Sequence, residues 1–121
     1  MESRKLKVDY YEDKDILYLQ IIPERPAKVD ETKYGFMVRY DWDDPKEIVG
    51  FECLDFSLLI PHLAEPGVLP KVKMRFDIEG SKIKDATLKD VLIWAYCRYV
   101  LRQPAKVPIS YKERIVEAPG S

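Results

Sequence analysis

Two cysteines and one histidine in 121 residues remove much chemistry at the outset. Cys53 and Cys97 stand far apart, without the spacing of a metal knuckle or a redox pair, and read as small buried apolar residues. His62, between Pro61 and Leu63, is the single candidate for histidine-based catalysis. No cysteine or serine motif accompanies it, so it reads as a partly exposed loop residue. Long apolar runs are missing too: the richest, Val91 to Cys97, is broken by Arg98 and falls far short of the ~20 residues a membrane span needs. There is also no excess of one charge. With 20 Lys plus Arg against 21 Asp plus Glu, the net charge of -1 supplies no general basic field for nucleic acid, so any such binding needs a local patch. Met1-Glu2-Ser3-Arg4-Lys5 carries no apolar signal segment, from which a cytoplasmic location is expected. Internal repeats and low-complexity segments are absent.

What the chain does contain is alternation. With 46% hydrophobic and 34% charged residues it has the composition of one soluble domain, expected to span residues 1–121. Leu6, Val8 and Tyr10 alternate with charged neighbours, as a strand with one wet face does. Ile16 to Ile22 is apolar almost throughout and predicts a central strand covered on both faces. Pro23 and Pro26 end it, leaving Ala27 to Thr32 at most a weak, mostly polar edge strand. After the turn at Tyr34-Gly35, Phe36, Val38 and Tyr40 form one strand, and Val49, Phe51 and Cys53 another, where Gly50 marks a bulge or a close backbone approach. Ser57 to Gly67 is a proline-bounded apolar connector expected to fold under the sheet. Lys71 to Ile78 alternates cleanly, with Lys71, Lys73 and Arg75 on its outer face. Thr87 and Asp90 form a capping box that opens a helix running to about Gln103. Its apolar stripe, Leu88, Val91, Leu92, Ala95 and Tyr99, is widened by Ile93, Trp94, Tyr96, Cys97, Val100 and Leu101. Residues 105–118 fit a short helix and a strand equally well.

These patterns predict an α+β fold: an antiparallel β-meander of four to five strands over 6–57, then an extension over 58–121 with one added strand and one long packed helix. Asp15-Ile16-Leu17-Tyr18-Leu19, Gly35-Phe36-Met37-Val38-Arg39-Tyr40-Asp41, Ile48-Val49-Gly50-Phe51-Glu52 and Leu54-Asp55-Phe56-Ser57 together resemble the small prokaryotic family called domain of unknown function 2283, over residues 6–57 only. The resemblance implies a compact antiparallel meander and no established activity; some members look like the antitoxin halves of small two-protein operons. The turn Asp43-Asp44-Pro45-Lys46-Glu47 lacks the glycine that family shows there, and everything after Ser57 lies outside the resemblance.

Asp41, Asp43 and Asp44 cluster in one loop and could hold a hard cation, but the turn glycine and further carboxylate of a calcium loop are missing, and ordinary turn chemistry accounts for them. No metal or cofactor is therefore expected. The leading functional reading is a non-enzymatic interaction protein, regulatory or antitoxin-like, that forms a homo-oligomer, most simply a dimer, and has room for a small protein partner. Its interface is expected on the aromatic side of the helix, at Trp94, Tyr96, Val100 and Leu101, or on an exposed edge of the meander. Nucleic-acid binding through Lys71, Lys73 and Arg75, with Lys82, Lys84 and Lys89 nearby, is the alternative, and a small enzyme ranks third. The bland account of the basic strand is a solvated face that protects an edge. For the helix, it is a sheet that wraps it on two sides.

Overall fold

The computed structural model describes residues 3–102. Its centre is a six-stranded mixed sheet, made of β1 (Ser3–Tyr11), β2 (Ile16–Ile21), β3 (Ala27–Glu31), β4 (Phe36–Asp41), β5 (Ile48–Cys53) and β6 (Arg75–Ile78), in the order β3-β4-β5-β2-β1-β6. Every neighbouring pair is antiparallel except β1 and β6, which run parallel. The α+β architecture is thus the one the alternation predicts. Its spatial order departs from chain order at two places, where β5 lies against β2 and β6 against β1. Pro23 and Pro26 stop the chain from turning back beside β2, so β3 starts at the far edge and the β3-β4-β5 meander returns to set β5 against β2.

One face of the sheet holds the core. Leu6, Leu17, Leu19, Ile21, Phe36, Val38, Phe51, Cys53, Phe76 and Ile78 are buried there, with the alternation of strands covered on one side. Helix α1 (Phe56–Leu59), a 3-10 turn at Ile60–His62 and the following loop add Phe56, Leu59, Leu63 and Val68 beneath the sheet, as expected of the connector. Expected cover on both faces of β2 is not found: Leu17, Leu19 and Ile21 are buried, but Ile16, Tyr18 and Gln20 are only half-buried. Among the described residues that second face is shielded only by sheet neighbours, such as Tyr11 edge-on to Tyr18 at 5.3 Å.

Helix α2 (Leu88–Ala95) begins at the expected capping box: Asp90 N donates to Thr87 Oγ1 at 3.1 Å, and Thr87 N donates to Asp90 Oδ2 at 3.2 Å. It continues through a π-wound turn, Tyr96–Val100, where Leu101 N bonds Tyr96 O at 3.0 Å, and ends at Arg102 with a φ of 55°. Val91 to Ala95 are buried without interruption, so the wide stripe is wrapped within the molecule, with α2 against β6 and its π-wound end against α1. The expected last helical residue, Gln103, and the ambiguous segment 105–118 lie outside the described residues.

Candidate interaction surface

The two edges of the sheet are finished differently. Beyond β6, the chain folds back to satisfy the strand: Phe76 and Ala86 exchange bonds of 2.8 and 2.9 Å, and Ile78 N donates to Ile83 O at 3.0 Å. The outer side of β3 has no such cover among the described residues. The flanking bonds Thr32 N to Phe36 O (2.8 Å) and Trp42 N to Pro26 O (3.1 Å), in register with Lys28 opposite Tyr40 and Asp30 opposite Val38, fix the phase of the ladder. In an antiparallel pair the residues alternate between facing the neighbour and facing away. Lys28 and Asp30 therefore bond β4, and the N–H and C=O groups of Ala27, Val29 and Glu31 point outward.

Side chains at this edge are open as well. Val29 is 47% exposed, and Trp42, with Lys28 Nζ 4.8 Å above its ring, is 60% exposed. The edge ends in a tight turn with positive φ at both central residues, Tyr34 (56°) and Gly35 (76°), closed by Phe36 N to Lys33 O at 3.0 Å. A tyrosine rarely tolerates that region, and outside contacts hold it there. Its ring stacks on His62 at 3.9 Å, its hydroxyl donates to Glu65 Oε1 at 2.7 Å, and Glu65 Oε2 pairs with His62 Nδ1. The bonds from His62 and Tyr34 hold the Glu65 carboxyl below its usual range, and Tyr34 is shifted upward by the same carboxylate. His62 is thus half-exposed, as expected, but closes the 3-10 turn rather than lying in a loop, and it ties the connector to the β3-β4 turn.

A second polar cluster lies at the same end of the sheet, at the β1-β2 turn, since Leu17 and Phe36 both pair with Cys53. Asp15 Oδ2 accepts from Ser57 Oγ at 2.6 Å and from Ser57 N at 3.1 Å, and Oδ1 accepts from Tyr10 OH at 2.7 Å. Burial first, and then this bond to Asp15, pushes the Tyr10 phenol up from 10.0 to about 12. Asp15 and Ser57 are 42 positions apart and both belong to the resembling motifs, so those motifs carry a clasp between the β1-β2 turn and α1. Sequence reasoning missed this pairing, although both residues stood in the quoted motifs.

In the acidic loop, Asp41 is 8% exposed and already engaged, accepting from Arg25 Nη1 at 2.9 Å and from Asp43 N at 2.8 Å. The Arg25 bond lowers its carboxyl below the usual range. Asp44 accepts from Lys46 N at 3.0 Å in a local turn, and Asp43 stays exposed. Among the described residues no group of three or more His, Cys, Asp or Glu side chains is placed to hold a metal ion. Cys53 and Cys97 are both buried, and burial pushes the Cys53 thiol up.

Of the helix residues expected at an interface, Trp94 is 5% exposed and sits in the core beside Tyr99, while Tyr96 and Val100 are half-buried and packed on the core. Leu101 stands open at 43%. Lys71, Lys73 and Arg75 are all exposed, but only Arg75 lies in a strand. The described part of the β1-β6 ladder begins at Ser3 opposite Arg75, and residues 71–74 have no neighbour to ladder with among the described residues. Arg75 leans on its own loop, reaching Asp85 O at 3.4 Å. No helix among the described residues is long and apolar enough to cross a membrane.

The fold and surface define an α+β protein with one sheet edge closed by its own chain and the other left open among the described residues. Residues 7–57, from within β1 to Ser57, match the family described as a protein of unknown function, DUF2283. That segment holds β2 to β5 whole, with the open edge and the Asp15–Ser57 clasp. Comparison with curated proteins and with solved structures gave no match.

Proposed function

We propose that this is a non-enzymatic interaction protein that associates through the open edge of β3, first with a second copy of itself, and serves as a regulatory or antitoxin-like partner of another small protein. The observation that carries the reading is the contrast between the edges, β6 bonded over by Ile83 and Ala86 and β3 left with outward backbone groups. An uncovered edge strand is a template for strand addition. The core position of Trp94 favours the meander edge over the helix as the contact. The polar clusters support a binding role because Asp15, Asp41 and Glu65 direct their carboxylates to bonds inside the fold. The regulatory half of the proposal rests on the antitoxin-like members of the resembling family. Light scattering at micromolar concentration tests self-association: a mass of twice the 14.2 kDa chain is expected, and a constant 14.2 kDa contradicts it.

A further inference from the structure

We propose that two copies of the chain join β3 to β3 antiparallel about a two-fold axis at Val29, in a register selected by the charges of Lys28 and Asp30. This inference rests on the self-association proposed above and specifies its geometry. Ala27, Val29 and Glu31 carry the outward backbone groups, so a second strand must meet them with its own outward residues. A two-fold pairing that overlaps most of this strand has three ways to satisfy that phase. Centred on Lys28, it sets Lys28 against the second copy's Lys28. Centred on Asp30, it sets two aspartates together. Only the Val29-centred register places Lys28 opposite Asp30 and, by symmetry, Asp30 opposite Lys28.

The geometry makes that distinction matter. Lys28 and Asp30 would fall at the non-hydrogen-bonded positions between the strands, where directly opposed Cα atoms are about 4.5 Å apart and side chains are closest. Opposite charges there attract and like charges repel. Alternating charge on an edge normally discourages indiscriminate pairing. The sequence Ala27-Lys28-Val29-Asp30-Glu31 is self-complementary in one register and self-repelling in its two neighbours, so the same charges that guard the edge also specify its partner. Val29, 47% exposed, would meet its own copy on the opposite side of the strand from those charges. An isologous contact of this kind closes after two copies and leaves no further β3 edge to pair.

The full chain and its charge variants test the proposal by sedimentation and light scattering across a dilution series. Lys28→Glu and Asp30→Lys each turn two attractive cross-strand pairs into repulsive ones, so each variant alone should dimerise about tenfold or more weakly. Mixed in equal amounts, the two variants should pair with each other at near wild-type affinity. In that mixed pair the two substituted side chains face one another with opposite charge, and the unchanged Asp30 of the first variant faces the unchanged Lys28 of the second. Native-like circular dichroism of both variants rules out unfolding as the cause of any loss. A wild-type dimer whose affinity neither variant changes overturns the β3 pairing and leaves self-association standing. Variants that weaken the dimer without recovery on mixing overturn the Val29 register. A wild-type chain that stays monomeric overturns both this geometry and the self-association it rests on.

Discussion

Asp15 occupies a turn position with φ 53°, accessible to aspartate more readily than to most residues, and from there its carboxylate reaches both Ser57 and Tyr10. The phenol it holds gives that contact a pH signature. Tyr10 ionises near 10.0 in an unfolded chain and at about 12 in the fold, so its stabilising contribution is fully present below the first value and is lost as pH rises towards the second. Tyr10→Phe should cost about 1 kcal/mol at neutral pH through the lost bond to Asp15. Urea unfolding of both proteins at about pH 8 and about pH 11 should show the gap narrowing at the higher pH; a gap of constant size would contradict the assignment. The clasp was not legible in the sequence because Asp15 and Ser57 meet only after β5 has returned beside β2. The partial exposure of His62 was legible, but its place in a 3-10 turn was not, and its stacking on Tyr34 depends on the connector passing under the β3-β4 turn.

Gly50 shows how a single position shapes a strand pair. A Cβ built there would lie 2.6 Å from Leu19 O, and the ladder between β4 and β5 shifts register between Arg39 and Tyr40, so the expected close approach and irregularity both occur. Because the opposing atom is backbone in the middle of the sheet, Gly50→Ala should destabilise by about 2–3 kcal/mol through forced separation of β5 and β2. Equilibrium denaturation measures this directly, and a change within experimental error would mean that the strands separate at no cost. At the same scale, alternation located every strand of the meander but overextended β6. Residues 71–74 keep the exposure pattern of a strand, with Val72 and Met74 turned towards the core, yet they pair with no strand among the described residues. Side-chain patterning records which face is wet; strand length depends on a neighbour that the local sequence does not contain. The helix illustrates the converse case. Its wide apolar surface was compatible with an interface or with wrapping by the sheet, and the burial of Val91 to Ala95 within the molecule corresponds to wrapping.

At the scale of the whole molecule, the sheet is closed by its own chain on one side and ends in a short, charged, outward-facing strand on the other. The composition and the proline-bounded segment 27–32 marked that strand as a polar edge, and its self-complementary charges were present in the sequence. Their phase was not, since only the ladder to β4 determines that odd-numbered residues face outward. Amide hydrogen exchange resolved by residue tests this account most directly, comparing dilute and concentrated protein. The amides of Lys28 and Asp30, bonded to β4, should be protected at both concentrations, whereas those of Ala27, Val29 and Glu31 should exchange freely when dilute and become protected together as concentration rises. Free exchange of those three amides at every concentration would contradict pairing through β3.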